Sequence, residues 1–151
     1  MKLYLDSVVL IDFLFEPVET SEREQIGQQL FSAIQQSETE CIVSFYSLPE
    51  LFGYVQRNYP PDIVNTVFKE SVIVLFSEPV KIVPYLDRTE VNRLRRRFTI
   101  ADSYDALHIA CALSNNCDAI VTYDSHFQTV TDIIPVFTPP QVLEHILDNP
   151  N

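Results

Sequence analysis

Residues 103–127 read SYDALHIACALSNNCDAIVTYDSHF, and this stretch decides the fold. Tyr104 to Asn115 reads as an almost wholly apolar helix, and Ala119 to Tyr123 as an apolar strand. The NNCD link between them is short, so the helix runs back toward the strand that follows it. Its start therefore lies level with the strand's far end. Asp105 heads the helix and Asp124 directly follows the strand, which brings two carboxylates to one edge. The opening MKLYLDSVVLIDFL repeats the arrangement: a strand over 2–5, then Asp6, then an apolar helix from Ser7 to Phe15.

Strands and helices alternate along the rest of the chain. EPVETSERE (16–24) reads as a loop running into a helix over about 22–37, with Ile26, Leu30, Ala33 and Ile34 at helical spacing. CIVSF (41–45) is a β-branched strand, and SLPELFGYVQR (47–57) a helix with Pro49 in its first turn. Asp62 to Val74 continues helically, with Ile63, Val67 and Val74 expected to face inward. PVKIVPYL is a strand or extended segment, and Arg88 to Arg97 a basic helix. A short strand and a helix opened by Pro139-Pro140 close the chain. This alternation predicts one α/β domain over 1–151: a three-layer sandwich with a central, mainly parallel sheet flanked by helices.

In an open parallel sheet, ligands bind beyond the carboxyl ends of the strands. Asp6 and Asp124 lie there directly, Asp105 by the argument above, and Glu50 five residues after the strand 41–45. Carboxylates from four segments thus converge. One like-charge pair at ~4 Å costs ~4 kcal/mol at an effective dielectric of 20. A hard divalent cation removes that cost, and Mg²⁺ and Mn²⁺ prefer carboxylate and water oxygens. Each residue also has a local reading. Asp6 can cap the first helix, and Ser47-Leu48-Pro49-Glu50 matches a capping box. Asp105, or Asp102 beside it, can favour a helix start through the dipole. Asp124 can be a turn residue. His108 reads as a satisfied core histidine, His126 as a surface one, and Asp12 as structural or at the rim.

Composition limits the alternatives. With 151 residues and 46% hydrophobic content the chain can bury a sizeable core. No window has the apolar length of a membrane span, and Asp6 and Asp12 interrupt anything like a signal peptide. Cys41, Cys111 and Cys117 lack metal-ligand spacing and read as reduced thiols of a cytoplasmic protein. The only glycines are Gly27 and Gly53, which excludes a phosphate-cradling loop. A net charge of −11 argues against a general nucleic-acid binder, yet six of the ten basic residues fall within 81–97. That cluster, including Arg93, Arg95, Arg96 and Arg97, reads either as a solvated helix face or as an electropositive approach to a site.

These segments resemble the PIN domain, most closely the small VapC-type ribonuclease toxins. KLYLDSVVLIDFL is similar to the family's opening strand, Asp and helix; SFYSLPELF to its second motif; YDALHIACAL to its third; and IVTYDSHF to its fourth. The resemblance covers residues 2 to about 138, with the motifs in order. It implies a Mg²⁺- or Mn²⁺-dependent endoribonuclease whose acidic site is Asp6, Glu50, Asp105 and Asp124. In that pattern Asp6, Asp105 and Asp124 bind the metal, and Ser7 and Thr122 support it. It also implies an RNA substrate, a small antitoxin partner and a homodimer, for which the apolar faces of 48–55 and 63–74 are the expected interface. Arg93, Arg95, Arg96 and Arg97 are then assigned to RNA phosphates. One departure is Val8, where the family commonly carries Asn or another small polar residue. Val8 also removes the Asp-x-Asp of Asp-nucleophile phosphatases. A receiver domain would need a lysine later than Lys81. The remaining alternative is a catalytically inactive PIN-like module that acts by binding protein or RNA.

Overall fold

A computed structural model describes residues 1–15 and 22–148. The central sheet has five strands: β1 (Lys2–Leu5), β2 (Glu40–Ser44), β3 (Val80–Val83), β4 (Ala119–Val121) and β5 (Val136–Phe137). Their order is β3-β2-β1-β4-β5, and every neighbouring pair is parallel. The helices are α1 (Ser7–Leu14), α2 (Glu22–Gln35), α3 (Ser47–Asn58), α4 (Val64–Ser77), α5 (Arg88–Arg95), α6 (Ser103–Ser114) and α7 (Pro139–Asp148). A 3₁₀ segment spans Ser125–Val130.

The strands are short apolar runs because both sheet faces are covered. Alternate residues of β1 divide the core. Leu3 and Leu5 join residues of α1, α2, α3, α4 and α7, whereas Tyr4 joins Ile109, Cys111 and Ala112 of α6 on the other face. These two cores and the sheet between them are the three layers. Small residues of α6 (Ala106, Ala110, Ala112) are completely buried, as fits close packing on the sheet. Gly27 serves a close approach of another kind: a Cβ there would stand 3.3 Å from the Asp12 carbonyl oxygen of α1.

The expected elements are present, with differences at their ends and in one register. Residues 16–21, the body of the expected loop, lie outside the described residues. Glu22 to Glu24 are helical, and the two glutamates suit the positive end of the α2 dipole. α4 buries a stripe of Val64, Ser71 and Leu75, and Val67 packs against the core as expected. Ile63 precedes the helix and Val74 sits one position off the stripe, leaving them 39% and 45% exposed rather than inward-facing. Ile73 and Phe76 are exposed beside them. Burial pushes the Cys41 and Cys117 thiols up to about 12 and Cys111 to about 11, so all three are protonated at neutral pH. Among the described residues no helix is long and apolar enough to cross a membrane.

Candidate active site

Strand order reverses at β1, with β2 on one side and β4 on the other. An open cleft of about 680 Å³ lies beyond the carboxyl ends of these strands, lined by Asp6, Glu50, Asp105 and Asp124 together with Ser7 and Val8. All four acidic residues singled out in the sequence therefore share one cleft.

Asp6 ends β1 and caps α1, so its local and site readings coexist. Its Oδ1 accepts the Ser7 backbone N–H at 2.7 Å, and its Oδ2 accepts the Thr122 hydroxyl proton at 2.6 Å. Thr122 in turn accepts the Asp124 backbone N–H at 2.9 Å. Burial raises the Asp6 carboxyl above the usual carboxylate range, against the opposing effects of His108 and the Thr122 bond.

Glu50 does not form the capping box its sequence allows. α3 begins with Ser47 already inside the helix, Tyr46 is the cap residue, and no side chain caps it. Glu50 instead accepts through Oε2 from the Ser7 hydroxyl and pairs with His108 Nε2 at 2.7 Å. His108 is fully buried, and its Nδ1 lies 2.7 Å from the Tyr4 hydroxyl. Burial disfavours the imidazolium, but the Glu50 bond and the Asp6, Glu50 and Asp105 charges prevail and raise the ring's pKa.

Asp102 is the cap of α6, accepting the N–H groups of Tyr104 at 2.7 Å and Asp105 at 3.2 Å. That leaves the Asp105 carboxylate without capping work. Its Oδ2 is shielded from solvent and has no partner among the described residues. Burial, then the charges of Asp102, Asp124 and Asp6, push Asp105 up to about 6. An orphaned oxygen inside a ring of like charges is what a hard cation would satisfy. Asp124 caps the 3₁₀ segment through the His126 N–H at 2.8 Å. His126, though 75% exposed, places Nδ1 3.2 Å from Asp124 Oδ1. Asp105, Asp124 and His126 each offer a ligand atom within 4.8 Å of the others. An oxygen-rich set of this kind fits Mg²⁺ or Mn²⁺, and His126 adds a nitrogen that suits Mn²⁺ better than Mg²⁺.

Two basic residues outside the 81–97 cluster reach the cleft. Arg23 and Arg57 line it, with Tyr104 and Tyr123, whereas Arg93, Arg95, Arg96 and Arg97 do not. Arg93 is held by Glu90 through bonds of 2.9 and 2.6 Å. Arg57 stands seven residues after Glu50 on α3, a spacing that could have revealed it. Arg23 lies 4.2 Å over the Tyr123 ring, a contact with no local signal.

With this geometry in place, comparison with known proteins identifies the family. A PIN domain profile matches residues 2–126, and the chain belongs to the PIN domain family. Solved structures of toxin–antitoxin proteins share its fold. VapBC2 from Rickettsia felis, bound to a promoter DNA fragment, matches with a TM-score of 0.65 at 14% identity, over 91% of this chain and 98% of that one. DNA-bound VapBC from Salmonella typhimurium gives 0.64 at 16% identity, over 92% and 98%. VapC20 from Mycobacterium tuberculosis, a toxin that cleaves the sarcin-ricin loop, gives 0.61 at 12% identity, over 83% and 92%. No curated protein matches by sequence.

Proposed function

We propose that this protein is a Mg²⁺- or Mn²⁺-dependent endoribonuclease, the toxin of a toxin–antitoxin pair acting in the cytoplasm. One observation carries the reading: Asp6, Glu50, Asp105 and Asp124 line one cleft, and a shielded Asp105 oxygen has no partner among the described residues. PIN domains are typically nucleases, and the toxin–antitoxin structures above supply the antitoxin expectation.

A divalent cation in this cleft would polarise a phosphoryl oxygen and make a water nucleophilic at neutral pH. Asp6, Asp105 and Asp124 are the residues that would hold it, with His126 beside them. Thr122 fixes Asp6, and Asp102 takes over the capping of α6 so that Asp105 remains available. Glu50 orients water or completes a second cation site. Hydrolysis by water with departure of the 3′ oxygen leaves a 5′-phosphate and a 3′-hydroxyl. Arg23 and Arg57 contact phosphates next to the scissile one, while Arg95, Arg96 and Arg97, on the segment leading to Asp102, contact flanking RNA. The exposed apolar residues of α4 are the homodimer surface.

The test is Mn²⁺ titration by calorimetry of wild type and Asp105→Asn, followed by incubation with total RNA and mapping of the ends produced. Binding and new 5′-phosphate ends in the wild type alone support the reading. Metal binding with no cleavage of any RNA favours the inactive, partner-binding module.

A further inference from the structure

We infer that His108 is a positioning residue that holds Glu50 for the divalent cation, an inference that rests on the function proposed above. A chain of buried side chains runs from the sheet to the cleft: Ser44 Oγ lies 2.7 Å from the Tyr4 hydroxyl, Tyr4 lies 2.7 Å from His108 Nδ1, and His108 Nε2 lies 2.7 Å from Glu50 Oε2. Ser44, Tyr4 and His108 are all fully buried.

The direction of this chain follows from its end. An ionised Glu50 has no proton to give, so Nε2–H donates to it. This holds for the neutral ring and the imidazolium alike. In the neutral ring Nδ1 is then an acceptor, Tyr4 donates to it, and the Tyr4 oxygen accepts from Ser44. The Ser7 hydroxyl donates to the same Glu50 oxygen. Oε2 thus takes two donors, whereas Oε1 has none among the described residues. Two donors from two elements, α1 and α6, fix one oxygen and leave the other for a cation on a side chain that lines the cleft. The ring is itself fixed by Tyr4 and packed edge-on against it, with centroids 5.7 Å apart. Partners of this kind orient a ligand without touching the metal.

A purely structural network would also satisfy these buried groups, so the test must read Glu50. Mn²⁺ affinity is measured by calorimetry for wild type, His108→Gln, His108→Leu, Tyr4→Phe, Glu50→Gln and the double variant His108→Leu/Glu50→Gln. Each is held at a temperature where circular dichroism shows it folded. His108→Leu is expected to bind roughly tenfold more weakly, and His108→Gln, which keeps an N–H at similar reach, within about threefold of wild type. In the Glu50→Gln background His108→Leu adds nothing, because its effect passes through the lost carboxylate. Unchanged affinity in His108→Leu, or losses that simply add in the double variant, overturns the inference. Should His108→Leu not fold, Tyr4→Phe decides: weaker binding supports the relay, and wild-type affinity overturns it. A wild type that binds no Mn²⁺ overturns the metal site itself and this inference with it.

Discussion

The Thr122 hydroxyl donates to Asp6 Oδ2 at 2.6 Å, across 116 residues of sequence. It joins the ends of β1 and β4, the two strands at the point where sheet order reverses. Thr122→Val keeps the shape and removes the donor. The Asp124 N–H also loses its acceptor. Buried groups left unpaired cost about 1–3 kcal/mol each, so denaturant unfolding should show a loss of that order. Mn²⁺ binding should weaken as well, since the orientation of Asp6 is freed.

Asp105→Asn should separate stability from function. The Asp105 pKa is raised to about 6 from its ordinary 3.8, so the folded state favours the protonated group. Its stabilising contribution is complete below about pH 4 and lost as pH rises through about 6. At pH 7 the ionised group is a cost. After discounting for its partial exposure, that cost is about 1 kcal/mol. The metal-free variant should therefore melt higher than wild type at pH 7, while Mn²⁺ no longer raises its melting temperature. A lower Tm in the metal-free variant would count against the repulsion described here.

The same group makes cation binding depend on pH. Below about 6 a proton competes for Asp105, so Mn²⁺ affinity should climb between pH 5 and 7 and level off above. Calorimetry at pH 5.5 in buffers of different ionisation enthalpy should reveal proton release, absent at pH 8. A flat profile would place the cation away from Asp105.

Arg57 and Arg93 should behave differently toward RNA. Arg57 lines the cleft, whereas Arg93 is engaged by Glu90. With Mn²⁺ replaced by Ca²⁺ to suppress cleavage, Arg57→Ala should weaken RNA binding and reduce the salt slope by roughly 0.7, as for one lost phosphate contact on a single strand. Arg93→Ala should change neither. Equal effects would return the arginines of α5 to the centre of substrate binding.

Phe76 is 59% exposed and Ile73 55%, on a helix whose other face is buried. Phe76→Glu should convert a dimer into a monomer by light scattering, with Mn²⁺ affinity retained. A wild-type monomer at tens of micromolar would remove α4 as a homodimer surface.

The sequence by itself determined the alternation of strands and helices and the edge at which the acidic residues gather. Asp6 follows β1 directly and Asp124 comes three residues after β4, so chain direction carries both to the carboxyl end of a parallel sheet. The short NNCD link does the same for Asp105. These are local consequences of order and length. Only the tertiary structure decided which groups serve each carboxylate. Glu50 matches a capping box in sequence, yet it bonds to Ser7 and His108, because α3 starts with Ser47 inside the helix. Arg23 enters the cleft from α2 and the α5 arginines stay out of it, although charge clustering pointed to the latter. Of the residues expected inside α4, Val67 does pack against the core, whereas Ile63 precedes the helix and Val74 lies about 100° round the axis from the buried Leu75. Hydrogen bonds need partners within about 3 Å. For residues up to 116 positions apart that distance is set by how the layers pack, and no local pattern records it.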